Sequence, residues 1–222
     1  MKKLSVVYFL ICLCTIVDQS VLAQQKDVFM GGRIGLTLPT NISKPKDLNY
    51  GFKDMSRAGI QVAYFGRWFY MENLSLGWDL GYQYQSTADD YWNVSNWGEV
   101  NGSYQTIQLL AEGNIYFDSD EVRPYAGVAF GAFALLNRRT YSSNNEVAAS
   151  SETYKYQKVM PGLAPQAGIL FDLGGNVLLD IHTRLVFMPN LKDEYVTIDG
   201  SEISTNPHGA QNHLSLSIGL LF

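Results

Sequence analysis

Apolar and polar residues alternate strictly along much of this chain of 222 residues. Between Leu74 and Gln85, Leu, Trp and Tyr at every second position alternate with Ser, Gly, Asp and Gln. A period of two places successive side chains on opposite faces of a β-strand. The segment therefore predicts a strand with one apolar and one polar face, and no stretch of useful length shows the helical period.

The same alternation recurs in seven further segments, although one of them is apolar on both faces. The eight predicted strands are Val28–Leu38, Ala58–Tyr70, Leu74–Gln85, Thr106–Phe117, Tyr125–Leu136, Ala164–Phe171, Val177–Phe187 and Leu214–Phe222. Most reach the length of about 9–11 residues that a tilted strand needs to cross a bilayer. Strands in soluble sheets are usually shorter, with about 5–6 residues.

The predicted connectors alternate strictly between short and long. The short ones are Met71–Asn73, Asp118–Arg123 and Asp172–Asn176, and the long ones are Pro39–Arg57, Ser86–Gln105, Asn137–Lys158 and Pro189–His213. This is the pattern of an antiparallel meander with tight turns on one side of a membrane and loops on the other. In the last connector, Glu194–Ile198 and Ser201–Thr205 flank an Asp-Gly pair, which predicts a hairpin too short to cross the membrane.

Alternation alone does not decide which face points inwards, because a soluble lipocalin-like barrel also has eight antiparallel strands. Three observations favour a membrane barrel. The polar faces carry Gly, Ser and Gln, and charged residues make up only 17% of the chain. Aromatic residues lie beside the predicted short turns, as in an interfacial girdle, and the chain ends on a strand with Phe. These aromatics are Trp68, Tyr70, Phe117, Phe171 and Phe222.

We therefore predict an all-β fold, an eight-stranded antiparallel up-and-down transmembrane barrel with short periplasmic turns and four long extracellular loops. Before it, Lys2 and Lys3 precede an apolar run from Leu4 to Val17, and Val21-Leu22-Ala23 offers a cleavage site. These features predict a cleaved signal peptide at residues 1–23 and a barrel domain at residues 24–222. Both cysteines lie in the predicted signal peptide, so we expect a mature chain without disulfides.

Three stretches resemble the small outer-membrane barrels of the OmpA/OmpX/OmpW-like superfamily. They are RPYAGVAFGAF (Arg123–Phe133), LAPQAGILFDL (Leu163–Leu173) and the closing HLSLSIGLLF (His213–Phe222). The resemblance implies a Gram-negative type outer membrane, contact with its lipid, and a role for Phe222 as the signal read by the barrel-insertion machinery. The resemblance is specific for the fold but says little about function, because the superfamily includes anchors, adhesins and narrow channels.

An eight-stranded barrel is just wide enough for its side chains to fill the interior. The charged residues and the histidine of the predicted inward face are Arg33, Arg67, Asp79, Glu112, Asp180, His182 and Arg184. Four of them (Arg33, Asp79, Glu112 and His182) lie about five residues from the short-turn end of their strands, which predicts a shared layer. Buried charges need partners. We therefore predict a salt-bridge network that plugs the barrel, with a proton or ion path or a gate as the alternative.

The long connectors are the predicted working surface, and Tyr91, Trp92 and Trp97 in one of them are the candidates for binding an extracellular ligand or a host surface. The leading function is thus a structural or surface-binding, adhesin-like role without catalysis. A narrow channel for small solutes or ions is the alternative, and a lipid-modifying enzyme is less favoured.

Other chemistries find little support in the sequence. His213-Leu214-Ser215 resembles the His-x-Ser pair of outer-membrane lipid A deacylases, but it falls on the predicted inward face, away from lipid. The three histidines lack metal-ligand spacing, and no cofactor is predicted. The net charge of -5 argues against binding to nucleic acid.

Overall fold

The computed structural model describes residues 28–42, 52–88, 100–117, 121–142, 151–189, 195–198, 201–204 and 211–222. The predicted signal peptide lies outside these ranges. The elements are β1 (Val28–Pro39), α1 (Phe52–Met55), β2 (Gly59–Met71), β3 (Leu74–Ser86), β4 (Val100–Tyr116), β5 (Val122–Ser142), β6 (Ser151–Asp172), β7 (Leu178–Val186), β8 (Tyr195–Ile198), β9 (Ser201–Ser204) and β10 (His213–Leu221). The sequence did not predict α1.

Eight of these strands close into one antiparallel barrel in the order β1-β10-β7-β6-β5-β4-β3-β2. Closure joins the two ends of the described chain, with β1 paired to β10 from Gly31 and Leu221 to Pro39 and His213. Beyond it, the backbone N–H of Phe222 donates to Met30 at 2.9 Å, and that of Met30 donates back at 3.0 Å. The predicted eight-stranded up-and-down barrel is confirmed.

The barrel is apolar outside and polar inside. Ile34 is 65% exposed on the outer face, whereas its neighbour Arg33 is 3% exposed on the inner face. Leu109 and Gln108 on β4 show the same contrast, at 59% and 7%. A lipocalin-like barrel would have the opposite arrangement, so the structure decides in favour of the membrane barrel. No helix in the described part of the chain is long and apolar enough to span a membrane.

Aromatic side chains mark the short-turn end of the outer surface, where Tyr70, Phe117 and Phe222 are 38%, 72% and 63% exposed. Tyr82 and Tyr84, toward the opposite end of β3, are also exposed. The predicted turn between β6 and β7 contains three successive residues with left-handed backbone, at φ 79°, 62° and 65°; they are Gly174, Gly175 and Asn176. Gly and Asn adopt this conformation at the lowest steric cost.

The predicted connector Asn137–Lys158 was wrong over most of its length. Strand β5 continues to Ser142 and β6 begins at Ser151, and the two stay paired throughout. Strand β4 likewise begins at Val100, six residues before the predicted Thr106. The sequence pattern fades there because both faces of the extension carry polar residues, although backbone pairing continues. The separate β8–β9 hairpin predicted within the last long connector is confirmed.

Pairing between β6 and β7 ends at a pair of prolines. Leu163 and Phe187 exchange backbone hydrogen bonds of 3.0 and 2.8 Å. The same register would place Pro161 opposite Pro189 at the next hydrogen-bonded pair. Neither proline has an N–H to donate. Within the described ranges, the part of β6 that precedes Pro161 in the chain is therefore paired with β5 alone.

Candidate functional site inside the barrel

The seven interior residues predicted from the sequence all point into the lumen. Each is at most 3% exposed: Arg33, Arg67, Asp79, Glu112, Asp180, His182 and Arg184. They come from β1, β2, β3, β4 and β7, so barrel closure is what brings them together. Three arginines face three carboxylates, and the formal charges of the six side chains cancel.

Arg33 and Arg184 bridge Asp79 and Glu112 in a ring of alternating charge. Arg33 donates to Asp79 and, at 3.0 Å, to Glu112 Oε1. Arg184 donates to Glu112, and its Nη1 lies 3.4 Å from Asp79 Oδ2. Each carboxylate thus contacts both arginines. The ring removes the repulsion that two acids at similar depth on adjacent strands would otherwise suffer.

Arg67 forms a second unit with Asp180 in the same lumen. Its Nη2 lies 2.9 Å from Asp180 Oδ2, and its Nη1 lies 3.4 Å from Oδ1. The hydroxyl of Tyr125 donates to Asp180 Oδ1 at 2.7 Å and accepts from Arg67 Nη2 at 2.8 Å. Arg33 Nη1, 3.8 Å from Asp180 Oδ2, connects this unit to the ring. The three arginines therefore belong to one network.

Uncharged residues that the sequence did not single out satisfy many of the remaining polar atoms. Gln108 donates to Asp79 Oδ1 at 2.7 Å. Gln166 accepts from Arg184 Nε at 3.0 Å and donates to Asn114 Oδ1 at 2.7 Å. Tyr116 accepts from Arg67 Nη1 at 3.4 Å. These residues lie on the same inward-facing positions of their strands as the charged residues and at a similar depth in the barrel, and that pattern could have identified them from the sequence.

His182 lies beside this network and bonds only neutral groups among the described residues. Its Nδ1 is 3.2 Å from Ser217 Oγ, and its Nε2 is 3.3 Å from Gln166 Oε1. Gln166 therefore links His182 to the charged ring. The shared layer that the sequence predicted for Arg33, Asp79, Glu112 and His182 is thus a direct contact for the first three and an indirect one for the histidine.

Apolar clusters adjoin the charged network toward both ends of the barrel. On the short-turn side lies a cluster of Phe65, Tyr116, Tyr125, Leu170, Leu178 and Leu221. On the other side lies a cluster of Leu110, Ala129, Phe133, Leu135, Tyr156, Met160, Ala164, Val186 and Met188. Along β4 the inward side chains run from Leu110 through Glu112 and Asn114 to Tyr116.

Aromatic rings also stack directly on the arginines. Arg33 Cζ lies 4.2 Å from the centroid of the Phe65 ring, and Arg67 Cζ lies 4.6 Å from that of Tyr125. Contacts at these distances are cation–π interactions. The arginines thus contact both their carboxylate partners and the aromatic rings packed around them.

Closer to the long connectors, the buried ring of Phe52 in α1 packs edge-on against Tyr104.

The geometry gives no support to the other chemistries considered from the sequence. His213 and Ser215 are buried on the inner face. There His213 Nδ1 lies 3.1 Å from the backbone carbonyl oxygen of Gln211, and the hydroxyl of Ser215 donates to the backbone carbonyl oxygen of Arg184. In the described ranges, no group of three or more His, Cys, Asp or Glu residues could hold a metal ion. Tyr91, Trp92 and Trp97 lie outside the described residues.

A family model described as an outer membrane protein beta-barrel domain matches residues 9–207. OprG from Pseudomonas aeruginosa is similar in structure, with a TM-score of 0.50 and 11% identity over 89% of this chain and 96% of that one. A major outer membrane protein from Thermus thermophilus gives a TM-score of 0.48 with 14% identity, covering 88% and 98%. Neisserial surface protein A gives 0.47 with 14% identity, covering 87% and 95%. No curated protein sequence matches the chain.

Proposed function

The chain belongs to the outer membrane protein beta-barrel domain family, and we propose that it is a structural or surface-binding protein of the outer membrane whose barrel neither conducts nor catalyses. The observation that carries this proposal is the neutral network of six buried, mutually paired charges, with apolar clusters on either side of it. Membership of the family implies a Gram-negative outer membrane.

The pairing explains why the barrel should not conduct. An ion moving along the lumen would have to separate arginines from carboxylates that are at most 3% exposed. Breaking a buried pair leaves an uncompensated charge, and removing one partner of such a pair costs about 3–5 kcal/mol. The apolar clusters add a second barrier, because an ion entering them would lose its hydration without gaining a ligand.

The same contacts support a role without catalysis. A nucleophilic serine needs a base within hydrogen-bond reach. Ser215 instead donates to a backbone carbonyl, and His213 bonds another. Both side chains are also directed away from the lipid-facing surface on which a lipid substrate would lie. We assign surface binding to the long-connector side of the barrel, on which β5 and β6 extend. In the sequence, Tyr91, Trp92 and Trp97 belong to one of the predicted long connectors.

Planar-bilayer recording of the refolded protein tests the sealed barrel. We expect no steady single-channel current from the wild type. The charge-balanced double variant Arg33→Ala/Glu112→Ala should admit a small current and thereby show that the assay can detect an opened lumen. Steady current from the wild type would overturn the proposal in favour of the narrow channel.

Binding of bacteria to host cells or glycan arrays tests the surface role. The triple variant Tyr91→Ala/Trp92→Ala/Trp97→Ala should reduce binding, whereas Trp68→Ala on the membrane-facing wall should not. Equal binding by both variants and the wild type would remove these three residues from the proposed function. We also propose that residues 1–23 direct export and are cleaved, so sequencing of the mature protein should begin at Gln24.

A further inference from the structure

The outer face of the β5–β6 pair carries two cations where an apolar surface ends. Outward cross-strand pairs run from Val122 and Phe171 up to Ala134 and Val159, and every residue in them is apolar. Val159 is 70% exposed, as expected for a side chain that faces lipid. The three pairs that follow are Leu136 with Gln157, Arg138 with Lys155, and Thr140 with Thr153.

Arg138 and Lys155 are directly opposite each other in this ladder, and both are exposed. Side chains at such positions leave the backbone about 4.5–5.5 Å apart, and like charges there destabilise the pair. Among the described residues, no carboxylate forms an ion pair with either cation; the ion pairs found there lie inside the barrel. An anion bound at this position would relieve the repulsion between the two cations.

The position of Arg138 and Lys155 relative to the end of the apolar outer surface indicates which kind of anion the pair would meet. Arg138 follows Leu136 by two residues on the same face, a rise of roughly 5 Å along the barrel axis for a strand tilted by about 45°. This level is the headgroup region just beyond the hydrocarbon. Thr140 and Thr153 lie one step higher, with their hydroxyl oxygens 3.0 Å apart. One hydroxyl donates to the other, and the accepting hydroxyl keeps its own hydrogen to donate to the same ligand.

We propose that Arg138 and Lys155, together with one hydroxyl of the Thr140–Thr153 pair, bind the phosphate group of a membrane lipid in the leaflet on the long-connector side. A phosphate monoester offers several oxygens to the guanidinium fork, the ammonium and the free hydroxyl hydrogen at once. The ligand would relieve the repulsion between the cations and hold β5 and β6 together where β6 has lost β7 as a neighbour. The site is separate from the lumen and does not depend on whether the barrel conducts.

Native mass spectrometry of the full chain, extracted from phosphatidylcholine vesicles containing a minor fraction of phosphatidic acid, tests the site. Arg138→Gln/Lys155→Gln should lower retention of phosphatidic acid by about tenfold or more, the loss expected for a charge-assisted hydrogen bond. Lys53→Gln/Lys158→Gln is the matched control, since it removes two exposed cations outside the proposed site. Equal retention by wild type and the site variant, or equal loss in the control, would overturn the proposal.

Two further arms separate this site from its rivals. Lys155→Glu should abolish retention while leaving the unfolding midpoint unchanged or higher, because it replaces a repulsive pair with an attractive one. A lowered midpoint with normal retention would assign Lys155 a structural role and refute the lipid site. Inorganic phosphate should displace phosphatidic acid only at large excess. Free phosphate that binds as well as the lipid would show that the site recognises a soluble anion instead.

Discussion

Arg67 and Asp180 form a two-point ion pair across the barrel, from β2 to β7, with both side chains inaccessible to solvent. The two residues are 113 positions apart in sequence. Tyr125 bonds both partners and stacks beside the guanidinium. Removing Arg67 or Asp180 from this unit would leave the other charge buried without its partner.

Arg67→Ala should destabilise the barrel by about 3–5 kcal/mol, because it leaves Asp180 buried without its cation. Urea unfolding of the protein refolded in detergent measures the change. Lys158→Ala, which removes an exposed cation from β6, should unfold close to the wild-type midpoint. Adding Asp180→Asn to Arg67→Ala should recover part of the loss. Unfolding of Arg67→Ala at the wild-type midpoint would mean that the lumen is water-filled.

Gly168→Ala should destabilise the barrel by about 1–3 kcal/mol through steric pressure on Tyr125, without changing any charge. Gly168 lies directly opposite Tyr125, and an added Cβ would come within 2.6 Å of the Tyr125 hydroxyl and within 2.5 Å of the backbone oxygen of Ile181. Gly113→Ala is the matched control, since no atom lies within 4 Å of its added Cβ. The same urea titration should separate the two variants, and identical midpoints would contradict the packing of Tyr125 over this glycine.

The long connectors should face the outside of the cell. Cysteine occurs only at Cys12 and Cys14, so single cysteines introduced into the barrel give a clean readout. A membrane-impermeant maleimide added to intact cells should label Lys158→Cys on the β5–β6 extension. It should leave Glu72→Cys unlabelled in the exposed turn between β2 and β3. Labelling with the opposite preference would invert the topology.

Phe222→Ala should lower the amount of folded barrel in the outer membrane while leaving the stability of refolded protein nearly unchanged. The side chain is 63% exposed on the outer surface, and the backbone pairing of Phe222 with Met30 does not need the ring. Phe117→Ala removes a similarly exposed aromatic from the same end of the barrel. Heat-modifiability on gels of outer-membrane fractions measures assembly. An equal defect in both variants would show that Phe222 is only one aromatic of the interface.

Much of the barrel could be predicted from the sequence because the side-chain direction in a strand is a local property. Parity placed Arg33, Asp79 and Glu112 on the polar face, and the scarcity of charge and the aromatic residues beside the short turns favoured that face as the inner one. The boundaries of β1, β3 and β7 agree with prediction within one residue. The extension of β5 beyond Leu136 and of β6 before Val159 escaped prediction because a strand beyond the membrane has no apolar face to reveal it. The prediction also began β6 too late, at Ala164, although the outward residues Val159 and Leu163 are apolar and exposed. The proline pair that ends the β6–β7 seam likewise needed the register between two strands.

The alternation predicts eight strands, divides the side chains of each strand between an apolar and a polar face, and places balanced charges on the polar face. These properties follow from the pleat of a strand, which is local. That the polar face lies inside the barrel is decided by the fold, in which Arg33 is 3% and Ile34 65% exposed. Which arginine pairs with which carboxylate depends on the closed barrel. Barrel closure and strand register bring Arg184 of β7 to Glu112 of β4, 72 positions away in the sequence. They also bring Arg67 to Asp180, 113 positions away. Contacts across a lumen depend on the stagger of all eight strands together, and no local pattern encodes that sum.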